Sequence, residues 1–372
     1  MMNVVNSGSR YQIYGEDVKT YKVLPIMSYD VNFNKMIGFY LTSRPDLVAN
    51  EEKIYGNHEA KVQKVMKSFD KTDRNFGIIL SGQKGIGKSL FARILAQKSI
   101  EAGYPVITVT DYIPGIADFL ASIEQTVVVI FDEFEKTFGK VEEMDPQEEM
   151  LSLFDGLDNG KKMFVITCNE VDRLNSYLLN RPGRFHYHFS IKNPSDEEVR
   201  EYMEDKLLDE YKGSIDQIVN FAKTVNITYD YLRAIAFEVN QGYSFEEALG
   251  DLNITRTSDV NFDYVVTMTD GKIYTAYGQT IDLYAKNTQW FRAYGEKGTN
   301  IRFSFKPEDV KFVGDQLILN GAKTELYIEE DDYWDLPDKE REEAIAKAKA
   351  RQIRDVIFTK ADYSYLDRYY AV

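Results

Sequence analysis

The run Gly82-Gln83-Lys84-Gly85-Ile86-Gly87-Lys88-Ser89 holds the residue types needed to grip a polyphosphate. Gly82, Gly85 and Gly87 allow a tight turn in which successive N–H groups point at phosphate oxygens. Lys88 adds a point charge for the outer phosphates, and the Ser89 hydroxyl can ligate Mg²⁺. An apolar run, Phe76–Leu80, leads into the loop, and Leu90–Ala102 leaves it as a helix whose N-terminus favours an anion. Ile86 and Leu90 complete the nucleotide-binding set. The spacing points to ATP with Mg²⁺.

A second apolar run, Val127–Phe131, ends in Asp132-Glu133. Two acids at the end of a core strand beside such a loop can divide the work. Asp132 would hold Mg²⁺ and Glu133 would polarise an attacking water. A third run, Met163–Cys168, ends at Asn169, whose amide could orient that water; Asn is equally a common strand-end turn residue.

Strands of this continuous hydrophobicity, alternating with helical stretches over residues 51–192, imply a parallel α/β sheet buried on both faces. In residues 1–50, Tyr21–Met27 and Met36–Thr42 read as strands, the first interrupted by Pro25. Residues 193–252 read as helical, with capping boxes at Ser195-Asp196-Glu197-Glu198 and Ser244-Phe245-Glu246-Glu247 and a helix stop at Gly242. Residues 253–335 turn strand-rich, with hairpin signals at Asp270-Gly271 and Asn320-Gly321. Residues 336–372 read as a charged helix, Asp338 to Ile357, and an aromatic tail, Tyr363 to Tyr370.

Taken in order, Gly82–Ser89, Asp132-Glu133, Asn169 and Arg181-Pro182-Gly183-Arg184-Phe185 resemble the Walker A, Walker B, sensor 1 and arginine-finger motifs of the AAA ATPases. Thr167–Leu174 and Asn180–Arg184, with Leu151–Asp158 before them, look most like the branch of the mitochondrial Rieske-protein translocase. The resemblance spans roughly residues 50–250. It implies an AAA+ α/β P-loop NTPase fold with a small helical lid, to which the strand-rich C-terminal domain is added. It also implies a homo-oligomeric ring, commonly a hexamer. Arg181 and Arg184 would then reach the nucleotide of the neighbouring subunit, where a planar, permanently charged guanidinium stabilises the transferring phosphoryl group.

Four further positions follow from the family pattern. Tyr55 and Gly56 lie where relatives pack a loop against adenine, although Tyr before Gly is also an ordinary turn. Arg233 could be a sensor 2 or an exposed helical arginine. Tyr112-Ile113-Pro114-Gly115 could form a pore loop or a plain Pro-Gly turn. The family pattern usually has Asp where this chain has Glu135, Pro-Pro where it has Gln83-Lys84, and an acid where it has His186.

The formal charge of −15, from 45 basic and 60 acidic residues, argues against a chain that holds nucleic acid by general attraction, without excluding a local basic groove. The single cysteine, Cys168, excludes an internal disulfide framework. His58, His186 and His188 are too scattered for a metal cluster, and Glu329–Asp332 reads as a solvated acidic turn. With no apolar run long enough to span a bilayer and no secretory leader, the expectation is a cytoplasmic ATPase without membrane attachment that remodels a macromolecule, protein sooner than nucleic acid. A helicase- or clamp-loader and an ATP-gated scaffold are the alternatives.

Overall fold

The computed structural model describes residues 3–7, 10–16, 18–47, 53–140, 145–156, 160–179, 183–252, 260–283, 285–296, 299–313, 316–327, 337, 339–342, 346 and 350–361. Its contacts divide it into two compact units, Met1–Ile191 and Lys192–Val372.

In the first unit, a short antiparallel pair, β1 (Asn3–Ser7) and β2 (Arg10–Tyr14), precedes β3 (Ser28–Asn34) and β4 (Gly38–Arg44). Helix α1 (His58–Lys71) leads to β5 (Phe76–Ser81) and α2 (Lys88–Glu101). Then come β6 (Val106–Val109), α3 (Ile116–Ala121), β7 (Val127–Phe131), α4 (Phe134–Thr137), α5 (Pro146–Glu149) and α6 (Leu151–Asp155). The unit ends with β8 (Lys162–Cys168), α7 (Ser176–Leu179) and β9 (Phe185–Ser190). Seven strands form one sheet in the order β4-β3-β6-β7-β8-β5-β9, parallel except for the β3–β4 hairpin.

Period-two alternation divides the apolar strands between two cores. Val127, Val129, Phe131, Phe164 and Ile166 pack on one face with Phe134, Phe138 and Phe154. Val128, Ile130, Met163 and Val165 pack on the other with Phe69, Phe91 and Leu95 from α1 and α2. The alternation explains why these strands read as unbroken apolar runs: each neighbouring pair serves both cores.

Two N-terminal assignments change. Tyr21–Met27, expected as a strand, is irregular around Pro25, and the strand is Ser28–Asn34. Pro cannot donate to a ladder, whereas Tyr29, Val31 and Phe33 alternate with polar residues as a half-covered strand requires. The expected strand Met36–Thr42 begins at Gly38 instead. Met36 and Ile37 form the turn, their N–H groups bonded to the Asn34 side chain (2.8 Å) and carbonyl (3.2 Å). Residues 28–44 thus form the edge of the seven-stranded sheet, next to β6.

The second unit opens with α8 (Asp196–Lys206), α9 (Ile215–Ala222), α10 (Tyr229–Asn240) and α11 (Phe245–Asp251). Both expected capping boxes form, at Ser195 and at Ser244. Strands β10 (Asn261–Met268), β11 (Ile273–Thr280), β12 (Gln289–Tyr294), β13 (Asn300–Phe305), β14 (Val310–Val313), β15 (Gln316–Asn320), β16 (Thr324–Tyr327) and β17 (Ile353–Lys360) follow. They make one sheet in the order β14-β15-β17-β10-β11-β12-β13-β16, antiparallel at every pairing.

Asp270-Gly271 closes the β10–β11 hairpin as expected, with Gly271 at φ 83°. Asn320-Gly321 does not close one. The Asn320 side chain accepts from Ala322 N (2.9 Å) and starts a 3-10 turn, after which β16 leaves to pair with β13. The charged helix expected to reach Ile357 also changes, because Ile353–Lys360 is a strand seated between β15 and β10. Its buried Ile353, Val356 and Phe358 are β-branched or aromatic and fill the core of that sheet, which outweighs the helical propensity of the charged residues before it. Asp338, the Glu329–Asp332 run and the tail Tyr363–Tyr370 lie outside the described residues.

Candidate active site

The topology brings three loops together. The P-loop follows β5, Asp132-Glu133 follows β7 and Asn169 follows β8, and these three parallel strands are neighbours in the order β7-β8-β5. The crevice outside the carboxyl ends of such strands is where open α/β sheets bind ligands.

The loop is held by its glycines. Gly82, Gly85 and Gly87 have φ of 144°, 84° and 102°, values that exclude an ordinary L side chain. Ile86 is buried beneath the loop, and Ser89 is exposed on the first turn of α2. Lys88 is 7% exposed, and its Nζ donates to Gly82 O (2.5 Å), Gln83 O (2.7 Å) and Asn169 Oδ1 (2.8 Å). Desolvation lowers its pKa from the ordinary lysine value.

Asn169 is the hub. While its Oδ1 accepts from Lys88, its Nδ2 donates to Glu133 Oε1 (3.2 Å) and to Glu135 Oε1 (3.2 Å). Its backbone N–H donates to the same Glu135 oxygen (2.9 Å). Glu133 has φ 47°, and among the described residues it alone is a non-glycine at positive φ. Such backbone costs on the order of 1 kcal/mol and persists where its surroundings hold it. Here the holder is Thr167: its Oγ1 accepts from Glu133 N (2.9 Å) and donates to Asp132 Oδ1 (2.6 Å). Hydrogen bonds from Lys136 and Asn169 keep the Glu133 carboxyl below its ordinary pKa, so it is ionised at neutral pH.

Two contributors went unassigned from sequence. Thr167 carried a signal, a hydroxyl at the end of an otherwise apolar strand. Glu135 stood out only as a departure from the family pattern. It is 3% exposed, with one carboxylate oxygen committed to Asn169 and the other without a partner.

Metal fit rests on the donor set. Ser89 and Asp132 offer exposed oxygens, and among the described residues no group of three or more His, Cys, Asp or Glu is placed to hold a metal ion. Mg²⁺ suits such a site, because it commonly takes one or two protein oxygens and completes its shell with water and substrate phosphates.

Arg184 is 6% exposed and pairs through two nitrogens with the Asp155 carboxylate, while its third nitrogen donates to Tyr177 O (3.1 Å). The ion pair raises its pKa further. It is thus engaged within its own chain, and Arg181 lies outside the described residues. Tyr55 is buried with Lys53 Nζ 5.2 Å from its ring centre, and Gly56 has φ 73°. The Tyr112 ring packs edge-on against Phe138 and its hydroxyl donates to Glu149 (2.6 Å); burial, and secondarily Glu149, push its pKa up to about 12. Arg233 is exposed on α10.

His58, at the start of α1, lies against Gly87 of the loop and tilts over Phe91, with its Nδ1 buried and unpartnered. Burial, and secondarily Lys61, lower its pKa below the ordinary 6.5. The folded chain therefore resists taking a proton that the unfolded chain accepts, so His58 reduces stability as pH falls below about 6.5. Burial lowers His188 as well. We expect His58→Gln to flatten the loss of stability between about pH 6.5 and 5 without removing it, measured as the urea midpoint against pH. An unchanged slope would disprove the assignment.

Comparisons with known proteins agree with this geometry. Residues 78–193 match the family model "ATPase family associated with various cellular activities (AAA)". The chain is 30% identical over 152 residues to an ATPase family AAA domain-containing protein of Arabidopsis thaliana, covering 34% of this chain and 12% of that protein. It is 32% identical over 147 residues to the ATP-dependent zinc metalloprotease FtsH 1 of Symbiobacterium thermophilum, covering 34% of this chain and 24% of that protein. Among the described residues, no helix is long and apolar enough to cross a membrane. Residues 78–193 are thus similar to an AAA ATPase domain, and they include the strand ends that hold Lys88, Glu133 and Asn169.

Proposed function

We propose that this chain hydrolyses ATP with Mg²⁺, assembles as a ring of identical subunits, and uses the energy to remodel a macromolecular partner, a protein in the first instance. The observation that carries the ATPase reading is the path Lys88 Nζ–Asn169–Glu133, at 2.8 Å and 3.2 Å. It joins a phosphate-binding cation to a general base through one amide, which a merely structural lysine or a helix-capping acid would not need.

The P-loop N–H groups and Lys88 bind the phosphates, with Ile86, Leu90, Tyr55 and Gly56 at the rest of the nucleotide. Ser89 and Asp132 would hold Mg²⁺, which would supply charge neutralisation at the phosphate oxygens. Asn169 orients a water and the ionised Glu133 takes its proton during attack on the terminal phosphate. Thr167 fixes both acids, and Glu135 fixes Asn169. Arg181 is the first candidate for the contribution to a neighbouring subunit's site; Arg184 can join it only after leaving Asp155. The likeness of Thr167–Leu174 and Asn180–Arg184 to the Rieske-protein translocase branch supports a protein client.

Assembly makes a concentration test direct. Phosphate release per chain should rise with protein concentration as rings form. Arg181→Ala should lose that rise while still sedimenting as an oligomer. Turnover per chain that is independent of concentration, in a chain that remains monomeric, would reject the ring.

A further inference from the structure

The phosphate loop carries a second lysine that its own turn does not need. Gly82 and Gly85, at φ 144° and 84°, make the bend on either side of Gln83-Lys84. The Ile86 side chain packs against Gly82 from within the core. Lys84 is exposed, and among the described residues it makes no hydrogen bond and no ion pair. It stands where the family pattern has an uncharged proline.

Connectivity fixes where this charge is rooted. Lys88 Nζ holds the carbonyls of Gly82 (2.5 Å) and Gln83 (2.7 Å). The Gln83 carbonyl belongs to the planar peptide that joins Gln83 to Lys84, so the Lys84 backbone lies one peptide unit from the Lys88 ammonium group. That ammonium group donates to Asn169, which donates in turn to Glu133. The Glu133 carboxylate accordingly feels the charge of Lys84 as well as that of Lys136.

The other cations near the site are committed. Lys136 Nζ pairs with Glu133 Oε1 at 2.8 Å, and Arg184 is bound through two nitrogens by Asp155. Lys88 serves the loop carbonyls and Asn169. A phosphoryl group in transfer spreads negative charge over its oxygens, and a cation from the same chain or from a neighbour stabilises that charge. A lysine ammonium on its flexible four-carbon stem can swing from an exposed loop position to meet it.

We propose that Lys84 is a catalytic residue, its ammonium group donating to an oxygen of the terminal phosphate during transfer, so that a single chain turns over before any neighbour contributes an arginine. The inference rests on the ATPase reading above. In the step concerned, a water oxygen bonds to the terminal phosphorus and Glu133 accepts the water's proton. The bond from phosphorus to the bridging oxygen breaks, and its electron pair leaves with ADP. Lys84 keeps its proton throughout and balances charge.

The test combines steady-state phosphate release with calorimetric binding on the full chain, and urea midpoints report folding. Lys84→Met keeps the apolar stem and removes the charge. It should lower kcat by about 10–10²-fold, the worth of one charge-assisted hydrogen bond. Its Kd for a slowly hydrolysed ATP analogue should stay within about threefold of the parent, while affinity for ADP with aluminium fluoride, a mimic of the transferring group, falls with kcat. Lys84→Arg should retain several-fold more turnover than Lys84→Met, because the charge remains. In an Arg181→Ala background, the remaining turnover should fall by the same factor when Lys84→Met is added.

Turnover of Lys84→Met above the parent, or within about threefold of it, overturns the proposal. So does a loss of analogue affinity as large as the loss of kcat, which would make Lys84 a ground-state contact or a prop for the loop. Lys84→Arg no more active than Lys84→Met also overturns it. Should Lys84→Met unfold, Lys84→Gln is judged by the same criteria. A parent chain that releases no phosphate defeats the ATPase reading and this inference with it; a parent that turns over no faster than Lys84→Met defeats this inference alone.

Discussion

Replacing Glu133 with Gln is expected to lower steady-state phosphate release by about 10²–10⁴-fold while leaving ATP affinity within a few-fold of the parent chain. The amide is nearly isosteric and can still accept from Asn169, but it cannot take a proton from water. The fold should tolerate the change. The ion pair lost, Lys136 Nζ to Glu133 Oε1 at 2.8 Å, joins side chains 48% and 42% exposed, and surface pairs of this kind are worth about 0–1 kcal/mol. The αL backbone at residue 133 remains held through its N–H bond to Thr167. Phosphate release and calorimetric binding of ATP check the two halves separately. Turnover within threefold of the parent would remove Glu133 from the role of base; lost affinity together with lost turnover would mean that the carboxylate holds the site's shape.

Lys88→Ala is expected to act on the other half, raising the Kd for a slowly hydrolysed ATP analogue by about 10²–10⁴-fold. Charge-assisted hydrogen bonds contribute roughly 1.5–3 kcal/mol each, and two of them to phosphate oxygens would give an effect of this size. The ammonium group serves two loop carbonyls and Asn169. Its removal therefore also frees Asn169, and the residual turnover of any bound ATP should fall. Isothermal titration calorimetry decides the matter, and a Kd within threefold of the parent would show that the loop amides bind the phosphates without the lysine. The two substitutions should differ in kind. Glu133→Gln keeps a nucleotide-loaded chain that does not turn over, whereas Lys88→Ala loses the loading step.

The loop, the central strands and the helix caps were legible because they depend on local patterns. A glycine-rich loop requires positive φ at fixed spacings, and Gly82, Gly85 and Gly87 adopt it. Uninterrupted apolar runs have no solvated face, so Phe76–Leu80, Val127–Phe131 and Met163–Cys168 had to be central strands. The capping boxes at Ser195 and Ser244 are four-residue signals, satisfied by their own backbone, and both formed.

Pairing partners were not legible, because they are chosen by residues far away in sequence. Asn320-Gly321 carries a hairpin dipeptide, yet its strands leave for different neighbours, β17 and β13, because the core they fill lies there. Ile353–Lys360 follows a helix-forming charged stretch and becomes a strand, since the slot between β15 and β10 buries its apolar residues.

The same division holds inside the candidate site. From sequence, Glu133, Asn169 and Lys88 are three residues in three motifs. That one amide joins the other two, that Thr167 fixes both acids, and that Glu135 lies buried beneath Asn169 follow from the order β7-β8-β5, which no local pattern encodes. Arg184 shows the opposite case: its motif suggests a reach outward, while the fold places Asp155 within bidentate range. Residue type and spacing thus determined which groups are present and what each can do. Tertiary structure decided which of them meet, because strand order is set by burial of the whole sheet rather than by any one segment.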